Sequence, residues 1–135
     1  IINGEKSLDF EKKISKFRKN KKLHFFYSKY KIKNIEKFKN NKITAFAGIG
    51  NPSNFFDLLR EGNLNLKKMH TFPDHHNYSN EDFKILNEEK SNVLVTTEKD
   101  YHRLNENQKK MCQIIEVDLE IENQEIFKNL IKSYL

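Results

Sequence analysis

The seven residues Phe72-Pro73-Asp74-His75-His76-Asn77-Tyr78 put a carboxylate, two imidazoles and a phenol into one short stretch between apolar segments. Histidine is the side chain whose ordinary pKa, about 6.5, lets it exchange protons near neutral pH. A carboxylate beside it can fix the ring tautomer from behind, so the set suits general acid–base work. Turns held by a scaffold are where such groups concentrate. The plainer reading is a solvated, histidine-rich turn in which Asp74 caps the turn backbone.

Two other segments repeat the pattern of a strand running into a turn. Ile43-Thr44-Ala45-Phe46-Ala47 empties into Gly48-Ile49-Gly50-Asn51-Pro52-Ser53, followed by Asn54-Phe55-Phe56-Asp57-Leu58-Leu59. Glycine frees the backbone to turn, Asn51 can cap a helix and Pro52 suits its first position. Gly48-Ile49-Gly50 is the nearest thing to a phosphate-binding loop, but no Gly-x-x-x-x-Gly-Lys-Ser/Thr occurs in the chain. A tight strand-to-helix turn explains the glycine pair. Downstream, Val93-Leu94-Val95-Thr96 leads to Thr97-Glu98-Lys99-Asp100, a capping-box pattern that accounts for Thr97 and Asp100. Lys99 is either a solvated lysine or a group that reaches a phosphate.

His70, His75, His76 and His102 invite the question of a metal. His75 and His76 are adjacent rather than three or four residues apart, and no second ligand cluster accompanies them, so no metal site is expected. Cys112 is the only cysteine, which excludes an internal disulfide; its strand-like neighbours mark it as a small buried apolar residue.

The elements that must position these groups alternate along the chain. A helix over 6–20 and a strand or two over 23–33 come first, the latter with Phe25, Tyr27 and Lys29 on one side and His24, Phe26 and Ser28 on the other. Then come strand 43–47, helix 52–61, strand 65–72, helix 80–90, strand 92–96, helix 98–105, strand 112–119 and a terminal helix near 124–134. In the last of these Ile126, Phe127, Leu130, Ile131 and Tyr134 share one face. Alternating strands and helices make an α/β fold, a mostly parallel sheet with helices on both faces. The apolar strands 43–47 and 93–95 fit burial from both sides. In such sheets functional groups gather beyond the carboxyl ends of the strands, and all three motifs sit at such ends, so they should line one edge.

At 135 residues the chain has material for one core, and nothing in it approaches the run of about 18 apolar residues needed to span a membrane. The formal net charge is +6, unevenly placed: residues 1–42 carry +10 and residues 43–135 carry −4. Lys12-Lys13, Arg18-Lys19 and Lys21-Lys22 interleave with Phe10, Ile14 and Phe17 at helical spacing. An amphipathic helix with a solvated lysine face explains this. An anionic membrane surface is the functional competitor. Nucleic acid ranks behind both, because no recognised binding motif accompanies the charge.

Taken together, Ala45-Phe46-Ala47-Gly48-Ile49-Gly50-Asn51-Pro52, Phe72-Pro73-Asp74-His75-His76-Asn77-Tyr78 and Leu94-Val95-Thr96-Thr97-Glu98-Lys99-Asp100 resemble the C-terminal part of the tetraacyldisaccharide 4'-kinases, the lipid A 4'-kinases of Gram-negative bacteria. The resemblance implies a fragment: a C-terminal α/β lobe over 43–135, associated with a P-loop kinase lobe, preceded over 1–42 by a basic helix and strand linker from that lobe. Ile1-Ile2-Asn3-Gly4 resembles the end of a strand there. It implies transfer of the γ-phosphate of ATP to the 4'-hydroxyl of a tetraacyldisaccharide 1-phosphate, with ATP and Mg bound mainly by the preceding lobe. His75 matches the family's histidine that pairs with a catalytic aspartate of that lobe, and Asp74 would fix its tautomer. Gly48, Gly50, Asn51, His76, Tyr78, Thr97, Glu98, Lys99 and Asp100 would line the substrate or interlobe cleft, with His76 the weaker of the two histidines. The implied partners are ATP, the lipid A disaccharide precursor and the cytoplasmic face of the inner membrane, where the protein would sit peripherally, and no nucleic acid. Alone, the chain is expected to be inactive. The competing reading is a stand-alone basic α/β module that binds membrane or nucleic acid.

Overall fold

A computed structural model describes residues 1–17 and 23–135; Arg18, Lys19, Lys21 and Lys22 of the basic segment lie outside the described residues. In chain order the elements are β1 (Ile2–Asn3), α1 (Leu8–Lys16), β2 (Tyr27–Ile32), a 3-10 turn (Ile35–Lys37), β3 (Lys42–Ala47), α2 (Pro52–Glu61) and β4 (Asn65–Thr71). There follow α3 (Asn80–Leu86), β5 (Val93–Thr97), α4 (Glu98–Tyr101), α5 (Glu106–Lys109), β6 (Gln113–Ile115), β7 (Val117–Ile121) and α6 (Gln124–Lys132). Contacts divide them into two compact units, Ile1–Lys31 with Asp118–Leu135, and Ile32–Val117. The sequence reading cut the chain differently, with one boundary at 42–43.

The unit Ile32–Val117 holds the three motifs. Its four strands run parallel in the order β4-β3-β5-β6. Every residue from Ile43 to Ala47 is buried, because the central strand is covered on both faces and alternation sends its side chains to two different cores. Ile43, Ala45 and Ala47 pack with Phe55, Phe56 and Leu59 of α2 and with Val95 and Ile115. Phe46 and Leu94 point the other way, into a cluster with Tyr78, Phe83 and Leu86 around α3 and with Leu104 and Cys112. The fold is the three-layer α/β arrangement expected. The strand order carries a further consequence. The chain leaves β3 toward β4, then returns past β3 to β5, so a topological switch point lies between the carboxyl ends of β3 and β5.

Several expected elements are shorter or divided, each for a local reason. The helix expected over 80–90 ends at Leu86, where the Asn87 side chain donates to the Phe83 carbonyl at 2.9 Å and satisfies the last turn. The helix expected over 98–105 stops at Tyr101, and Asn105 caps a separate short helix, α5, with a capping box to Gln108. The strand expected over 112–119 also divides. Asn34 donates to the Ile114 carbonyl at 2.9 Å and accepts the Glu116 N–H at 3.1 Å. Beyond that point β7 leaves the four-stranded sheet for the one ordered β1-β2-β7. The helix expected over 6–20 starts at Leu8, with Ser7 as its N-cap, and within the described residues ends at Lys16.

In the unit Ile1–Lys31 with Asp118–Leu135, Ile2 and Asn3 pair in parallel with Tyr27 and Ser28. The Tyr27 hydroxyl donates to Glu11 at 2.9 Å and so ties α1 down near its N-terminus. Phe26 and Phe127 meet edge to face at 5.0 Å. No residue of α1 or α6 is buried.

Candidate functional site

Three turns meet at the carboxyl edge of the four-stranded sheet. The first begins at Gly48, directly after β3. Its N–H donates to Asp100 Oδ2 at 3.1 Å, and its carbonyl accepts Arg103 Nη1 at 2.9 Å and the His75 N–H at 3.1 Å. Glycine is required here by close approach. A Cβ on Gly48 would lie 2.8 Å from the Tyr78 hydroxyl and 3.0 Å from the Pro73 carbonyl oxygen. Asn51 precedes α2 without a side-chain cap bond, its Oδ1 accepting the Ser53 hydroxyl at 2.6 Å instead. Gly50 is exposed, beneath the Asp74 carboxylate.

The second turn, after β4, carries the histidines. His75 adopts φ +59°, the left-handed region that a non-glycine residue enters at some cost. The Asp74 carboxylate accepts the His75 N–H at 3.0 Å, and the Pro73 carbonyl accepts the His76 N–H at 3.1 Å. Asp74 Oδ2 stands 3.8 Å from His75 Nε2, beyond hydrogen-bond length. In this geometry Asp74 stabilises the turn backbone, the simpler of the two roles the sequence allowed it, and does not fix the His75 tautomer. The His75 side chain is 73% exposed.

His76 has the opposite surroundings. Its ring stacks on Phe72 at 4.7 Å, meets Tyr78 edge-on at 5.0 Å, and places Nε2 3.0 Å from Asp82 Oδ2. Burial works to raise the Asp82 carboxyl, but the Ser79 N–H and the His76 ring outweigh it and hold the group below the ordinary carboxylate range. The two histidines diverge because the left-handed residue turns the chain between them. The sequence argument, alternation along an extended segment, separated them for a different reason.

The third turn, after β5, is the least exposed. Asp100 has no solvent exposure. Besides Gly48, its carboxylate accepts the Tyr78 hydroxyl at 2.9 Å, the Thr97 hydroxyl at 2.7 Å and Arg103 Nη1 at 3.3 Å. Thr97 caps α4 as expected, accepting the Asp100 N–H at 3.1 Å, but Asp100 does much more than cap a helix. Burial, then the Asp100 charge, pushes the Tyr78 hydroxyl well above the usual phenol range, so Tyr78 stays a proton donor. Glu98 and Lys99 lie on the surface.

The structure thus brings Gly48, Tyr78, Thr97 and Asp100 into one hydrogen-bonded node and sets Asp74 and His75 on its solvent side. Among the described residues neither Glu98 nor Lys99 makes a side-chain hydrogen bond or ion pair with that node; Glu98 Oε1 lies 3.9 Å from His102 Nε2 instead. Sequence reasoning missed Arg103, Asp82 and Gln108, whose amide donates to the Tyr78 carbonyl at 2.9 Å. Arg103 had a signal, three residues after Asp100 on a helical face. His70 Nε2 is buried without a partner, and burial lowers that ring's pKa. Among the described residues no group of three or more His, Cys, Asp or Glu stands close enough to hold a metal ion.

Comparison with known proteins gives this edge a family. The sequence model of the tetraacyldisaccharide-1-P 4'-kinase family matches residues 1–135. Proteins named tetraacyldisaccharide 4'-kinase are similar to it: that of Rickettsia typhi is 41% identical over 102 residues, and that of Rickettsia akari 39% identical over the same length, each covering 70% of this chain. The Rickettsia canadensis protein is 38% identical over 107 residues, or 72% of this chain. The chain spans about a third of these relatives, 31% to 32% of their length. No solved structure matches it. With its whole length covered by the family model, the chain belongs to the tetraacyldisaccharide-1-P 4'-kinase family.

Proposed function

We propose that this chain supplies the histidine-bearing edge of a lipid A 4'-kinase, which moves the γ-phosphate of ATP to the 4'-hydroxyl of a tetraacyldisaccharide 1-phosphate. The sequence has no phosphate loop, the element that cradles the phosphates in P-loop kinases. The nucleotide and its metal belong to a phosphate-loop lobe of the kind the family carries. What this chain contributes is a proton-exchanging ring. Phosphoryl transfer needs a group that orients the attacking hydroxyl or accepts its proton. His75 orients a carboxylate across the cleft or shares the proton that the hydroxyl releases.

The observation that carries this reading is the contrast at the edge. His75 is exposed on a turn tied by backbone hydrogen bonds to the end of the central strand, whereas His76 is stacked and paired. A rigid support under an open imidazole is what general acid–base work needs. The test is a chimera in which this chain replaces the matching segment of the Rickettsia typhi kinase. The chimera should phosphorylate the disaccharide, and His75→Ala should lower kcat by about 10²–10⁴-fold with little change in apparent affinity for ATP. Near-normal turnover by His75→Ala would remove the mechanism.

The acyl chains of the substrate put the reaction at a lipid surface, which we take to be the cytoplasmic face of the inner membrane. Phe10, Ile14 and Phe17 are exposed at helical spacing along α1, beside Lys12, Lys13 and Lys16, and this supports a peripheral contact. No helix among the described residues is long and apolar enough to cross a membrane.

A further inference from the structure

Asp100 is the one acidic residue among the buried side chains described, and its position is unusual for more than burial. It sits just after β5, while the backbone it binds sits just after β3, so it bridges the switch point of the sheet. A buried carboxylate is costly unless every lone pair finds a donor. Here four donors converge: the Gly48 N–H, the Tyr78 and Thr97 hydroxyls and Arg103 Nη1. An apolar contact could hold two strand ends together at less cost. It could not set the direction of a peptide group.

Two routes lead from this carboxylate to the histidine turn. Along one, Asp100 Oδ2 holds the Gly48 N–H while Arg103, itself on Asp100 Oδ1, holds the Gly48 carbonyl. That carbonyl also accepts the His75 N–H at 3.1 Å. Along the other, Asp100 Oδ1 takes the hydroxyl of Tyr78, three residues beyond His75. The turn is therefore tied at its left-handed residue and again at its exit. A left-handed non-glycine residue persists only where its surroundings over-determine it.

We propose that Asp100, acting with Arg103, is the positioning residue for His75: it touches no reacting atom but fixes where the imidazole stands. The proposal rests on the role given to His75 above, and two readouts keep the two apart. The first needs no turnover. In this chain, Asp100→Asn should speed hydrogen exchange at the His75 N–H by about 10-fold or more while the Val95 amide in β5 keeps its protection, because local opening is resolved amide by amide. Loss at both positions alike means general destabilisation and overturns the proposal, and so does no change at His75.

The second readout is a double-mutant cycle in the chimera. Asp100→Asn alone should lower kcat roughly 10–100-fold, the scale of a displaced catalytic group, with KM for ATP unchanged. In the His75→Ala background it should lower kcat no further, since a residue that acts only through His75 has nothing left to position. An equal loss in both backgrounds overturns the proposal. Full turnover by His75→Ala overturns the proposed function instead, with exchange at the His75 amide still deciding whether Asp100 holds the turn. Tyr78→Phe removes one route without leaving a buried amide opposite Arg103, and it carries the same two tests should Asp100→Asn not fold.

Discussion

His76 Nε2 lies 3.0 Å from Asp82 Oδ2, and this pair decides which of two adjacent histidines is open to chemistry. Asp82 also accepts the Ser79 N–H at 2.7 Å in the capping box that starts α3. His76 is thus built into the start of a helix, while His75, one residue earlier, projects from a left-handed position. The pair predicts opposite behaviour on substitution.

His76→Ala should destabilise the chain by about 1–2 kcal/mol, from a lost charge-assisted hydrogen bond and a lost aromatic contact at a partly exposed site. His75→Ala removes no packing and should cost about 0.5 kcal/mol or less. His75→Gly should be more stable than His75→Ala by up to ~1 kcal/mol, because glycine enters the left-handed region freely. Urea midpoints at fixed m-value would measure all three. If His75→Ala is the more damaging of the two alanine variants, the placement of the rings described here is wrong.

The Asp82 carboxyl makes a prediction about acid. Its folded pKa is held below the unfolded value of about 3.9, so its contribution is complete above that value and is lost as pH falls through the lower, folded pKa. Stability should therefore decline with acid in that window, and Asp82→Asn should flatten the decline. Glu89, held down chiefly by its hydrogen bond to Lys68, titrates in the same direction, so the slope should shrink rather than vanish. Denaturation midpoints across acid pH, compared between the two proteins, would show it; identical slopes would contradict the pairing.

Gly48→Ala tests the close packing of the three turns. The added methyl meets a backbone oxygen, the Pro73 carbonyl, as well as the Tyr78 hydroxyl, so a side-chain rotation alone cannot make room. Overpacking of this kind costs roughly 1–3 kcal/mol. The shift should be accompanied by altered fluorescence of Tyr78, read against a Tyr78→Phe control. A variant as stable as the parent would show that the turns have slack.

The sequence revealed the fold's layers because β3 and β5 are buried on both faces, so their apolar runs carry the signal directly. It misjudged helix ends where a single side chain intervenes, as Asn87 does after α3 and Asn105 before α5. The strand over 112–119 read as continuous because Asn34, eighty residues away, is what separates β6 from β7. At the edge, the motif residues were visible as types, but Asp100 was legible only as a helix cap. Its bond to Gly48 spans fifty-two positions, and no local pattern encodes a partner at that distance. Arg103 was half legible: Asp100 lies three positions before it, but its other acceptor is the Gly48 carbonyl, far away in the chain.

The basic segment makes the last prediction. Residues 1–42 carry a net charge of +10. Phe10, Ile14 and Phe17 are 43%, 37% and 85% exposed on the same side of α1. Lys13 is partly offset by Asp9 at 2.8 Å, which leaves Lys12 and Lys16 as the fuller charges of that helix. Each basic residue near an anionic surface is worth about 1 kcal/mol. The chain should therefore bind vesicles containing an anionic lipid and leave neutral vesicles largely free. Raising salt from about 0.1 M to 1 M shortens the Debye length from about 10 Å to 3 Å and should release it. Lys12→Glu with Lys16→Glu should weaken the preference for anionic lipid, whereas Phe10→Ser with Phe17→Ser should weaken binding while keeping that preference. Co-sedimentation with the two vesicle types would measure each variant. Equal binding to both, or to neither, would leave α1 with a merely solvated lysine face and remove this support for a membrane contact.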